Sequence, residues 1–248
     1  MDAGFWNTRY TRDDYLYGTE PNEFVAEVAA RIPPGPVLCL AEGEGRNAAF
    51  LAARGHTVTV IDQSEVALAK ARRLAAARGV AIETVVADLA TYRITPGAWA
   101  GIVATWAHLP PEVRRAVHAQ AAQGLRPGGV FILEAYTPAQ LAYDTGGPRS
   151  VEWLMSAAQL RGELAGLEFE ILRELERDVR EGTAHTGRGA VVQVLARRSR
   201  VMTRHAIERL RGILQRKPDA RPLAEEWAEH KREERELEDR QHARSTGT

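Results

Sequence analysis

The chain has 248 residues, 44% hydrophobic and 27% charged, with a formal net charge of zero. This is the balance of a soluble globular protein, long enough to bury a full core and carry an attachment. With no global field, neither nucleic acid nor a membrane surface is an expected partner.

The positive charge is almost all arginine, because the only lysines are Lys70, Lys217 and Lys231. A lysine Schiff base therefore has few candidates. Cys39 is the single cysteine, which rules out an intrachain disulfide and a cysteine-rich zinc site. It lies in an apolar run and reads as a buried, inert thiol; no metal is expected. The opening MDAGFWNTRY lacks a basic start followed by an apolar stretch. No apolar run approaches the roughly 18 residues of a spanning helix, so the expected location is cytoplasmic.

Residues 1–30 are rich in aromatics, with Phe5, Trp6, Tyr10, Tyr15 and Tyr17. They suit a helix packed on the core, or a cover over a ligand. From residue 37 apolar runs alternate with helical patterns. Strands are expected at 37–40, 57–61, 82–87, 101–105 and 130–135. Helices are expected at 46–54, at 64–78 with Ser64 as N-cap, and at 110–123 opened by Pro110-Pro111. Such alternation with short connections builds a parallel sheet with helices on both faces. A helix over 150–164 follows. Strands at 168–179 and 190–196 flank the Gly-rich EGTAHTGRG, read as the loop of an antiparallel hairpin. The expected architecture is α/β, a Rossmann-like doubly wound sheet of seven strands, mostly parallel with the last reversed. After residue 200 the pattern becomes helical and strongly charged.

The first strand runs into Glu42-Gly43-Glu44-Gly45, and Gly43-x-Gly45-x-x-Ala48 fits a nucleotide-binding turn. Glycines there let backbone N–H groups and a helix N-terminus approach a ligand closely. The second strand ends on Asp62, placed to accept from ribose hydroxyls, and the third on Asp88, within reach of an adenine amino group. Three such strand ends on one sheet edge point to an adenosine-containing ligand. Two alternatives fare badly. A short-chain dehydrogenase needs Tyr-x-x-x-Lys and a P-loop needs Gly-Lys-Ser/Thr, and both are absent. The glutamates around Gly43 would repel a diphosphate, which favours a locally cationic ligand.

In VLCLAEGEGRNA, TVTVIDQS, VVADL and LRPGGVFILE the sequence resembles class I S-adenosylmethionine-dependent methyltransferases, over about residues 5–198. GRNAAFLAARGH, AHLPP and the N-terminal W-x-x-R-Y are similar to the tellurite-resistance and thiopurine methyltransferase-like group, which implies a small-molecule acceptor, including soft thiol, selenium or tellurium nucleophiles. Cys39 stands where the family has Asp, and Ala41 where it has Gly; Ala41 is tolerable only if its φ stays negative. The expected organisation is a lid over residues 1–30, an S-adenosylmethionine-binding domain over 31–199 and a charged helical extension over 200–248, which lies outside the resemblance. A homodimer through that extension is one arrangement its apolar stripe allows.

The expected cofactor contacts are Trp6, Tyr10, Glu42, Gly43, Glu44, Gly45, Asn47, Asp62, Gln63, Asp88, Leu89 and Thr105, with S-adenosylhomocysteine as product. Trp106, Arg149 and Arg188 are expected at the acceptor. His108, His185 and Tyr17 are the candidates for proton handling. A soft anionic acceptor would need no base, with arginines guiding it in. The competing readings are a non-catalytic interaction protein on a degraded cofactor loop and an NAD(P)-linked oxidoreductase.

Overall fold

The computed structural model describes residues 2–143 and 145–200. The charged extension and any dimer contact through it lie outside the described residues. The strands are β1 (Val37–Leu40), β2 (Val58–Asp62), β3 (Glu83–Val86), β4 (Trp99–Thr105), β5 (Leu125–Tyr136), β6 (Leu167–Glu181) and β7 (His185–Arg198). They form one seven-stranded sheet in the order β3-β2-β1-β4-β5-β7-β6. Pairings from β3 across to β5 are parallel, while β7 runs antiparallel to both β5 and β6. The expected fold class, with its last strand reversed, is the one observed.

β1 and β2 are buried throughout, as apolar runs covered on both faces must be. The helices are α1 (Ala3–Tyr10), α2 (Glu23–Val28), α3 (Arg46–Ala53), α4 (Glu65–Ala77), α5 (Pro111–Gly124) and α6 (Ala157–Glu163). One face of the sheet packs Leu38, Ile102, Phe131 and Leu133 against Val117 and Ala121 of α5 and Leu160 of α6. The other packs Val37, Val60, Val103 and Ile132 against Phe24 and Val28 of α2, Leu51 of α3 and Leu68 of α4. Each large side chain so buried contributes about 1.5–3 kcal/mol. Chain order reverses between β1 and β4, which opens a crevice at the carboxyl ends of the strands.

Ser64 caps α4 as expected, its hydroxyl accepting from the Ala67 N–H at 3.1 Å. Two expectations are corrected. The helix expected over 150–164 divides into a 3-10 turn, Val151–Trp153, and α6. Leu154 and Met155 are buried between them, and the Met155 N–H bonds to Tyr136 O at 3.0 Å. Ser156 and Gln159 then form a capping box that starts α6 afresh. The Gly-rich stretch is mostly strand rather than loop, since β6 and β7 pair as far as Glu181 and His185. Gly182 makes the turn at φ 66°, and a Cβ there would lie 2.3 Å from Leu16 O. The N-terminal segment therefore lies directly on the hairpin tip.

Candidate functional site

The crevice is a cleft of about 1260 Å³ lined by α1, the glycine loop, the ends of β2, β3 and β4, residues 146–150 and the start of β7. Gly43 and Gly45 both hold positive φ, 62° and 84°. A Cβ on Gly43 would sit 2.8 Å from the Tyr10 hydroxyl, and one on Gly45 would sit 2.4 Å from Ala71 Cβ. The first glycine lets α1 close on the loop; the second lets α3 close on α4. Ala41 also adopts positive φ, 48°, against the condition set by its side chain. A left-handed alanine costs roughly 1–2 kcal/mol, partly offset by the chain entropy a glycine would lose. Ala41→Gly is therefore expected to raise Tm by about 1–3 °C, whereas Ala48→Gly inside α3 should lower it; thermal melts of the two variants check this.

The carboxylates around the loop are deployed in a particular way. Glu42 Oε1 accepts from the backbone N–H groups of Asn47 and Ala48, at 2.8 and 3.0 Å, and so occupies the N-terminus of α3. Asp62 accepts from Gly43 N–H through one oxygen and from Ser64 N–H through the other, both at 2.9 Å. Burial raises both carboxyls above their ordinary range, opposed by these backbone bonds. Glu44 pairs with the buried Lys70, whose ammonium also donates to Arg12 O and Asp14 O; its other oxygen accepts from Tyr17 N–H at 3.2 Å. Glu44 was expected at the cofactor. It lines the cleft while its carboxylate pins the N-terminal segment onto α4.

Asn47 links this region to β4, donating to Thr105 Oγ1 at 3.0 Å and accepting from Asn22 N–H at 2.8 Å. At the end of β3, Val86 is 52% exposed beside Asp88 and Leu89, an apolar face open on the cleft. Gln63, Thr105 and Arg149 line the same space. Trp6 stacks on Tyr10 with ring centroids 5.7 Å apart, and Tyr10 meets Tyr17 edge-on at 6.2 Å. Among the described residues no cluster of His, Cys, Asp and Glu is arranged to hold a metal ion.

The far end of the cleft is aromatic. Trp106 follows β4 with φ 58°, an outlier for a bulky residue that tertiary contacts must enforce. Its indole N–H donates to Glu181 Oε2 at 2.6 Å, and its ring lies 4.4 Å from Tyr136 and 4.9 Å from His185, centroid to centroid. His108 is not available as a base, which corrects that expectation. Its Nδ1 bonds to Trp106 O at 3.1 Å and its Nε2 accepts from Tyr136 N–H at 3.0 Å, so both ring nitrogens brace the Trp106 turn. Burial pushes its pKa down to about 4. His185 is 7% exposed and lines the cleft, with its pKa pushed down to about 3 by burial. Arg188 does not reach the cleft: three residues beyond His185 it faces the other side of β7 and pairs with Glu176 at 3.2 Å.

Both imidazoles are neutral in the fold, yet take up a proton near pH 6.5 once the chain unfolds. The unfolded chain then binds more protons, so stability falls as pH drops from about 6.5 toward the folded values. Glu42 and Asp62, with raised pKa values, oppose this in the carboxylate range, which leaves the histidine effect clearest between about pH 6.5 and 5. Tm is expected to fall steadily over that interval and less steeply in His108→Gln; a flat wild-type profile would reject the assignment.

Sequence reasoning missed a buried ionic network behind the aromatic end. Glu134 of β5 is fully buried and accepts from Arg177 at 2.7 and 2.9 Å, Gln193 at 2.7 Å and Asn22. Glu181 accepts from Arg177 at 2.9 Å, from Asn22 at 2.8 Å, from Trp106 and from Arg46. Its partners hold its pKa below the ordinary value against the pull of burial. The network ties the N-terminal segment, α3, β4, β5 and the β6–β7 hairpin together.

Residues 37–129 match the family model described as a methyltransferase domain. The match covers the glycine loop and the strands whose ends line the cleft, the same stretch that carries the first three resembling motifs. A 2-heptyl-1-hydroxyquinolin-4(1H)-one methyltransferase of Mycobacteroides abscessus is 32% identical over 120 residues, which is 47% of this chain and 53% of that protein. The chain thus spans about half the length of that curated relative. Two solved structures share the fold. One, described by the conversion of a disulfide bond into a thioacetal group during echinomycin biosynthesis, has TM-score 0.62 and 23% identity, over 86% of this chain and 98% of the other. TehB from Haemophilus influenzae has TM-score 0.60 and 20% identity, over 79% and 67% respectively.

Proposed function

We propose that this chain transfers a methyl group from S-adenosylmethionine to a small-molecule acceptor. The observation that carries the reading is the donor set of the glycine loop. The N–H groups of Gly43, Asn47 and Ala48 are already bonded to Asp62 and Glu42. A diphosphate would meet two carboxylates where it needs free N–H groups, at a cost of about 4 kcal/mol per close pair of like charges near a protein surface. A sulfonium and an ammonium meet attraction instead. The same feature weighs against an NAD(P)-linked oxidoreductase.

In this reading Val86, Asp88 and Leu89 hold the adenine, Asp62 and Gln63 the ribose, and the glycine-loop backbone the amino-acid end. Trp6, Tyr10 and Tyr17 offer ring faces to the positive sulfur, worth about 0.5–2 kcal/mol each. S-adenosylmethionine brings an electrophilic methyl and its own neutral leaving group. The chain's task is then to align the acceptor and exclude water, and alignment alone can supply about 7–11 kcal/mol. Residues 1–30 act as the cover, fixed at Glu44–Lys70 and at the hairpin tip. The relative acting on a hydroxyquinolone supports a small molecule as acceptor.

Calorimetric titration with S-adenosylhomocysteine, with NADH alongside, tests the proposal. Micromolar binding of the first and none of the second is expected. Absence of S-adenosylhomocysteine binding would overturn the enzyme reading and leave a non-catalytic interaction protein on this fold.

A further inference from the structure

S-adenosylmethionine is not simply a cation: its methionine end carries a carboxylate beside the ammonium. A glycine loop that repels a diphosphate repels that carboxylate as well. The N–H groups of Gly43, Gly45, Asn47 and Ala48 are already bonded within the chain, and Glu42, Glu44 and Asp62 line the cleft around them. The carboxylate therefore needs a cation that stands beside the loop without belonging to it.

The arginines that line the cleft are Arg9, Arg46 and Arg149. Arg46 is committed to Glu181, as the neighbouring Lys70 is to Glu44, and Arg149 belongs to the 146–150 wall. Arg9 is placed differently. Among the described residues it pairs with no carboxylate, and its guanidinium bonds to the Tyr17 hydroxyl. The Tyr17 N–H is held by Glu44 of the loop at 3.2 Å. The residue after Arg9, Tyr10, brings its hydroxyl within 2.8 Å of where a Cβ on Gly43 would sit. Asn7 ties the same helix to α4, its Oδ1 accepting from Ser64 Oγ at 2.7 Å. A cation in the last turn of a helix ordinarily serves that helix's own carbonyl end. Arg9 lies in the last turn of α1, yet its bond crosses to Tyr17.

By accepting from Arg9, the Tyr17 oxygen keeps its own proton for donation. Burial raises the Tyr17 pKa, so that proton stays in place. A guanidinium fork and a phenol proton side by side match the two oxygens of a carboxylate. We propose that Arg9 and Tyr17 together bind the carboxylate at the methionine end of S-adenosylmethionine. The assignment rests on the methyltransferase reading and gives that site the cation its loop lacks.

The test is calorimetric titration of the full chain with S-adenosylhomocysteine and with its decarboxylated form, which keeps the ammonium and loses only the carboxylate. Wild type is expected to bind S-adenosylhomocysteine at least tenfold more tightly. In Arg9→Gln, with folding verified by thermal melting, that preference should fall below threefold, while affinity for the decarboxylated form changes less than twofold. Arg9→Lys keeps the charge without the fork and should retain an intermediate preference. Because Arg9 is exposed, the wild-type preference should also shrink as salt is raised. Equal binding of the two ligands by wild type, or tighter binding of the decarboxylated form, overturns the proposal alone. So does an undiminished preference in folded Arg9→Gln; an equal weakening of both ligands there marks a merely structural role. If Arg9→Gln does not fold, Arg9→Lys decides, and an unchanged preference in it overturns the proposal. Failure of wild type to bind either ligand sinks the methyltransferase reading and the proposal with it.

Discussion

Replacing Asp62 with alanine is expected to weaken S-adenosylhomocysteine binding by on the order of 100-fold. Asp62 joins the end of β2 to the glycine loop through Gly43 N–H, and to the start of α4 through Ser64 N–H. Each hydrogen bond to a charged group is worth about 1.5–3 kcal/mol, and in the proposed complex the same carboxylate also receives a ribose hydroxyl. Alanine removes all of these and frees a loop that already holds three left-handed residues, Ala41, Gly43 and Gly45. Asp62→Asn keeps one acceptor oxygen and should lose roughly tenfold, since 1.4 kcal/mol is a factor of ten. Titration calorimetry on both variants, with melts to show that they remain folded, makes the comparison. A change below threefold in Asp62→Ala would remove Asp62 from the cofactor site.

The second large effect concerns stability. Glu134→Ala is expected to cost about 3–5 kcal/mol, because it leaves the half-buried Arg177 short of its bidentate partner and strands the amides of Gln193 and Asn22. For a domain of this size that is a fall in Tm on the order of 10 °C. Glu134→Gln retains an acceptor for the amides and should lose about half as much. Melting curves of the two variants at pH 7 decide the matter, and a fall of less than about 2 °C in the alanine variant would show that the network relaxes around the loss.

How much of this could be read beforehand depended on range. β1 is bounded as the apolar run VLCL predicts, and Ser64 caps α4 because a cap is a contact between near neighbours. The strand-end acids were legible for a similar reason: a parallel sheet delivers the ends of β2 and β3 to one edge. What escaped was long-range. ELERDVRE alternates charge as a solvated strand does, and only the antiparallel return of β7 places Arg177 and Glu181 behind Trp106. Glu134 did offer a signal, a lone carboxylate within the apolar run VFILEAY that had to find cations somewhere. His108 was a candidate because β4 delivers it to the cleft edge, but the positive φ of Trp106 brings a carbonyl to its Nδ1, and both ring nitrogens bond to backbone. Arg188 failed on parity alone.

A cell is full of molecules that share an adenosine half, and most of them carry phosphates. A cleft that recognised adenosine alone would spend its time obstructed by the most abundant of these. In the proposed reading, with the Glu42 side chain sitting at the head of α3, the refusal is made before any ligand arrives, by an occupant that is tethered and cannot be diluted away. No contact with the correct ligand is spent on discrimination. Re-educating this protein toward dinucleotides would accordingly begin with an eviction, and the vacated helix end would then need a new cap.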